Sequence, residues 1–134
     1  MIVVDASVVL ELILQTATAA AVADELLDDE QSLHAPHLID LEVAQVLRRY
    51  VRAGTLGVRR AREALDDLAA LRIERYTHFP LLDRVWSLRD HLSAYDAAYV
   101  ALAEGLGAPL LTSDARLARA PGHRARIRLL GAER

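Results

Sequence analysis

The chain has 134 residues, no cysteine, and sixteen basic residues that are all arginine against nineteen acids, for a net charge of −3. That is room for one domain, residues 1–134, able to bury roughly two-thirds of its unfolded surface around a single core. The missing cysteine excludes disulfides, thiolate nucleophiles and zinc–thiolate sites, and the missing lysine excludes Schiff-base and P-loop phosphate chemistry.

In chain order, Met1–Val4 reads as a short buried strand, and Asp5-Ala6-Ser7 turns it into a helix over about residues 7–14. Thr16 or Thr18 is placed to cap a second helix reaching about Asp29, where Asp28-Asp29-Glu30-Gln31 ends it. Leu33-His34-Ala35 reads as extended, and Pro36 as the start of a long helix. That helix runs to about Ala53 and stops at Gly54, since glycine accepts the left-handed conformation just past a helix end. Residues 58–71 space Ala61, Leu65, Leu68 and Ala69 at helical period, and residues 72–76 alternate like a strand. Pro80–His91 and Tyr95–Leu106 read as helices, the second ended by Gly105 and Gly107. Pro109–Thr112 is expected as a strand, Ala115–Ala120 as a short helix and Ile127–Leu130 as a last strand.

Strands separated by helices throughout imply a three-layer α/β/α arrangement, its central, mostly parallel sheet of four to five strands covered on both faces. Sites in such sheets form beyond the carboxyl ends of the strands, where Asp5 and Asp114 stand. No apolar run approaches the roughly 20 residues that span a bilayer. No basic leader precedes the first apolar stretch, so a cytoplasmic protein without membrane contact is expected.

Four acids stand at informative places. Asp5 ends the apolar run Met1-Ile2-Val3-Val4, and Asp114 follows Leu110-Leu111-Thr112-Ser113. Glu42 borders the apolar stripe of the long helix, and Asp96 opens a helix with Tyr99, Val100 and Ala103 on its inward side. Each alone reads equally as a structural acid: Asp5 and Asp114 as helix caps worth about 1 kcal/mol, Asp96 as the reaching acid of a Ser93-Ala94-Tyr95-Asp96 capping box, Glu42 as a rim charge. Together they make sense around a divalent cation, because a buried unpaired carboxylate is costly and clustered acids repel one another. Oxygen ligands without histidine or cysteine select Mg²⁺, with Mn²⁺ as a substitute. Ser7 and Thr112 flank two of the acids and can hydrogen-bond a carboxylate or a metal-bound water. His34 and His37, interrupted by Pro36, read as surface histidines rather than a zinc pair.

The charges are segregated: residues 1–47 carry nine acids and no arginine, and residues 48–134 carry sixteen arginines against ten acids. Such a domain can hold a cation in one region and a phosphate backbone in another, and it reads equally as two solvated faces. Arg116 and Arg119 are the candidates for phosphate contact. Leu10, Leu12, Ile13, Leu26 and Leu27 are candidates for a groove that docks a partner.

The segments Met1–Val9, Pro36–Val43, Tyr95–Glu104 and Leu111–Asp114 resemble, in order and spacing, the motifs of the PIN-domain family, and within it the VapC-type toxins of toxin–antitoxin pairs. The resemblance covers nearly the entire chain. Its third and fourth motifs are the most specific, and residues 54–90 match least. It implies a Mg²⁺-dependent endoribonuclease, the toxin of a type II toxin–antitoxin system, that hydrolyses RNA phosphodiester bonds with a metal-activated water held among four carboxylates. Asp5, Glu42, Asp96 and Asp114 match the family's acidic positions, and Ser7 and Thr112 its hydroxyl positions. The resemblance also implies a homodimer and a cognate antitoxin that blocks the site. Two further readings stay open: a metal-dependent nuclease or phosphatase acting on DNA or nucleotides, and a non-catalytic protein-interaction module in which the acids are only caps.

Overall fold

Short runs rich in Val, Ile and Leu can hide both of their faces in the middle of a parallel sheet, and this chain builds its centre from such runs. A computed structural model describes residues 1–130. It pairs β1 (Ile2–Val4), β2 (Leu33–Pro36), β3 (Ile73–Tyr76), β4 (Leu110–Thr112) and β5 (Ile127–Leu129) into one sheet of order β3-β2-β1-β4-β5. Every pairing is parallel, so the sheet is wholly parallel and five-stranded. Val3, at the centre, pairs with His34 on one side and Leu110 on the other.

Helices α1 (Ala6–Ile13) and α2 (Ala19–Leu26) return the chain from β1 to β2, and α3 (Leu38–Arg52) and α4 (Val58–Ala70) from β2 to β3. These crossovers step in one direction along the sheet. A 3₁₀ turn (Phe79–Leu81), α5 (Leu82–Ser87) and α6 (Ala94–Leu106) carry the chain back from β3 to β4, and α7 (Ala115–Ala118) leads on to β5. Right-handed crossovers therefore set the two groups of helices on opposite faces, giving the three layers. Helix α6 packs on β1, β2 and β4 with α5 beside it. It accordingly buries every residue from Ala97 to Ala103. The direction of winding reverses between β1 and β4, and in sheets of this kind the carboxyl ends at such a reversal are where sites form.

Several local expectations are corrected. Pro36 does not begin a helix but ends β2, opposite Tyr76. The β1–β2 pairing stops at His34, so Pro36 has a strand neighbour on one side only and its missing N–H costs nothing. The helix instead starts at Leu38, whose free N–H donates to His78 Nε2 at 3.0 Å. Helix α2 stops at Leu26 rather than Asp29, and the Asp28 carboxylate accepts from Glu30 N–H in the turn beyond it. Thr18 flanks α2 without capping it, because its hydroxyl is turned to Glu11. Helix α5 ends at Ser87, whose Oγ donates back to the Arg84 carbonyl at 2.7 Å. His34 is buried, not superficial, with Tyr76 OH on Nδ1 at 2.7 Å and Ser32 Oγ on Nε2 at 2.8 Å. Leu12, Ile13 and Leu26 belong to the core, which leaves Leu27 as the exposed member of the expected docking set.

One glycine is dictated by contact as well as by conformation. Gly122 has φ +90°, and a Cβ there would lie 2.3 Å from His91 Cδ2. Gly122→Ala is expected to destabilise the protein by about 1–2 kcal/mol, from a left-handed backbone plus a displaced ring. Urea unfolding measures it, and a midpoint equal to that of the parent chain would contradict the close approach.

Candidate active site

Because β1 and β4 are neighbours, the residues that follow them emerge side by side. Asp5 donates its N–H to the Leu111 carbonyl at 3.3 Å, then turns its side chain to cap α1. Its Oδ1 accepts from Ser7 N–H (3.0 Å), Val8 N–H (3.3 Å) and Ser7 Oγ (2.5 Å), and its Oδ2 from Thr112 Oγ1 (2.6 Å). Asp5 is only 7 % exposed. Burial outweighs these donors and raises its carboxyl from 3.8 to about 6.

The two hydroxyls join the strand ends. Thr112, fully buried at the end of β4, accepts from Asp114 N–H at 3.0 Å while donating to Asp5. Ser7 Oγ accepts from Ser113 N–H at 2.8 Å and lies 3.3 Å from Thr112 Oγ1. Asp114 caps α7, its Oδ1 accepting from Arg116 N–H and Leu117 N–H at 2.9 and 3.3 Å.

Asp96 and Glu42 approach from the helices. Ser93 caps α6 by accepting from Asp96 N–H at 3.1 Å, which is one arm of the expected capping box. The Asp96 carboxylate faces Arg116 instead. A single guanidinium nitrogen, Arg116 Nη2, lies 3.1 Å from Asp96 Oδ2 and 3.1 Å from Asp114 Oδ2. Glu42, in the second turn of α3, accepts from Tyr99 OH through Oε1 at 2.7 Å. The start of α3 is fixed by Arg75 of β3, which grips both oxygens of Asp40 at 2.7 and 2.8 Å.

The charges sense one another. Burial raises the Glu42 carboxyl, the Tyr99 hydrogen bond opposes that, and the Asp96 charge adds to it. The Tyr99 phenol is held protonated far above its ordinary range, first by burial and then by the charges of Glu42, Asp5 and Asp96. Glu42 thus accepts from that buried hydroxyl while the charges of Asp5 and Asp96 act on it, and Asp114 joins Asp96 through Arg116. Among the described residues, no three acidic or histidine side chains stand close enough together to hold a metal ion as they lie. Arg116 separates two of the carboxylates, and both oxygens of Asp5 are turned to hydroxyl and amide donors. The donor set nonetheless fits a hard divalent cation: it is all oxygen, it already accepts a cationic group between Asp96 and Asp114, and it holds a buried acid whose ionisation is unfavourable without added positive charge.

Sequence reasoning missed Tyr99, which sits among apolar neighbours at helical spacing like an ordinary core residue. Arg116 lies at the site, paired with carboxylates. Arg119, at the end of α7, is exposed.

Fold and site define a doubly wound parallel α/β protein with an all-oxygen acidic crevice at its switch point. The chain belongs to the PIN-domain family, whose model matches residues 2–123. It is 45% identical over 129 residues to Ribonuclease VapC1 of Mycobacterium tuberculosis, covering 96% of both chains. In fold it is similar to M. tuberculosis VapC20, a sarcin-ricin loop cleaving toxin, with a TM-score of 0.69 at 17% identity over 88% of this chain and 93% of that one. It is similar also to VapBC2 of Rickettsia felis, solved bound to a promoter DNA fragment, with a TM-score of 0.70 at 13% identity over 97% and 99% of the two chains.

Proposed function

We propose that this protein is a divalent-metal-dependent endoribonuclease, the toxin of a type II toxin–antitoxin pair, with Asp5, Glu42, Asp96 and Asp114 as its catalytic acids. What supports the reading is that acids from four distant segments are linked through Thr112, Tyr99 and Arg116 beside the ends of β1 and β4. Extensive identity to a protein named as a ribonuclease supports the reaction type.

A bound Mg²⁺, or Mn²⁺ in its stead, would supply positive charge against the charge developing on the phosphate and make water nucleophilic near neutral pH. Asp5, Asp96 and Asp114 would hold the ion directly, and Glu42 through water. Ser7 and Thr112 keep the two oxygens of Asp5 aimed in fixed directions. Arg116 and Arg119, beside Asp114, would hold flanking phosphates and make binding fall with salt. The reading takes residues 1–134 as one cytoplasmic domain. Its partners are RNA, a cognate antitoxin and a second copy of the chain, the last supported by large apolar side chains left exposed on α3, α5 and the start of α6: Leu41, Leu82, Trp86 and Tyr95. Among the described residues no helix is long and apolar enough to cross a membrane.

Purified protein is expected to cut RNA with Mg²⁺ or Mn²⁺, to stop on chelation, and to leave DNA of matched sequence intact. Equal cleavage of the DNA would favour the nuclease or phosphatase reading. Absence of any calorimetric binding of Mn²⁺ would favour an interaction module in which the acids are caps.

A further inference from the structure

We infer that Tyr99 is a positioning residue for Glu42, an inference that rests on the ribonuclease reading above. Helix α6 buries seven consecutive residues, and a phenylalanine at position 99 would fill the same core volume. The hydroxyl is the difference, and a hydroxyl taken into a core is costly unless it finds a partner. Its partner is Glu42 Oε1 at 2.7 Å, on a helix from the opposite face of the sheet. The bond therefore spans the two helical layers at the strand ends, beside the carboxylates.

The geometry makes Tyr99 a rigid reference. Tyr99 is 1 % exposed, whereas Glu42 is only partly buried and has three side-chain torsions to fix. With Oε1 engaged, the Glu42 carboxylate is anchored at one oxygen and Oε2 remains for another partner. Tyr99 also lies three residues beyond Asp96 on the same helix, so the bond refers Glu42 to the backbone that carries Asp96. Ser7 and Thr112 do the same for Asp5 through its two oxygens. Each of the two acids raised by burial thus has its own hydroxyl holder. Removing a group that orients a ligating side chain typically costs a metal site about 10- to 100-fold in affinity or activity.

The test begins with Mn²⁺-dependent RNA cleavage by the wild-type chain and proceeds to Tyr99→Phe, Glu42→Ala and the double variant. Tyr99→Phe is expected to fold, to keep its KM for RNA, and to lose about 10- to 100-fold in kcat, with a parallel loss of Mn²⁺ affinity by calorimetry. In the Glu42→Ala background, Tyr99→Phe should lower neither quantity further, because its effect passes through that carboxylate. A lowered melting temperature with kcat and Mn²⁺ affinity unchanged well below it would mean a merely structural tyrosine and would overturn the inference. So would an equal loss with and without Glu42. Wild-type protein that cuts no RNA would remove the ribonuclease reading and, with it, this inference, whatever the variants do.

Discussion

Asp96→Asn is expected to leave the fold intact and to slow metal-dependent cleavage of RNA by on the order of 10³-fold. Asparagine has the same shape, and the cap of α6 uses the backbone N–H of residue 96, not its side chain. The carboxylate's partner is Arg116, whose side chain is 67% exposed and also holds Asp114. A pair so open to solvent contributes up to about 1 kcal/mol, so the melting temperature should move by a few degrees at most. The rate loss should exceed the roughly 10- to 100-fold that removal of an outer-shell partner costs, and reach on the order of 10³-fold. Thermal unfolding and initial cleavage rates on one substrate separate the two quantities. A folded Asp96→Asn variant that cuts RNA as fast as the parent chain with Mg²⁺ would refute the site.

Elements whose formation depends on local pattern are legible in the residues themselves. The central strands β1 and β4 are short apolar runs, β3 alternates, and each of the five strands is found within a residue or so of its expected ends. Gly54 and Gly107 end α3 and α6 with φ of +78° and +64°, the conformation that marks them in sequence. What is not legible depends on tertiary partners. Pro36 looks like a helix start because nothing local says that β1 ends before it. His34 looks like a surface histidine because Tyr76, which takes its Nδ1, becomes a neighbour once β2 and β3 pair, although Ser32 on its Nε2 is close in sequence. Asp5 and Asp114 can be found because each follows an apolar run directly. Arg116 can be singled out but not assigned, since its two carboxylates come from a helix twenty residues earlier and from its own cap. Tyr99 is hidden for the opposite reason: a residue that satisfies a helix's apolar spacing gives no sign that its hydroxyl reaches another layer.

Asp5 sets a stability cost that should appear as a pH dependence of the metal-free protein. Its folded carboxyl is raised from 3.8 to about 6 by burial, so between those values the folded state binds more proton than the unfolded chain. Stability from this group is fully present below about pH 3.8 and is lost as pH rises through about 6, a change of about 3 kcal/mol. Glu42, also raised by burial, acts with the same sign. His34 opposes them: burial lowers its pKa, so the folded state loses stability as pH falls below the ordinary histidine value. The difference between the parent chain and Asp5→Asn isolates Asp5 from both. Asparagine still accepts the amide donors of α1 and exchanges one hydrogen bond with Thr112, so the variant should fold. In chelator near pH 7.5 it should be more stable than the parent by up to about 3 kcal/mol, with the gap shrinking toward pH 4. Saturating Mn²⁺ should reverse the order at neutral pH, because a cation held by the folded parent alone stabilises it by mass action. Urea titrations across pH, with and without Mn²⁺, would show it; parallel curves for the two proteins under all conditions would mean that the buried carboxylate carries no penalty for a cation to relieve. The acid that most destabilises the empty fold would then be the one that most rewards the metal, which is the trade expected where activity depends on a strained site.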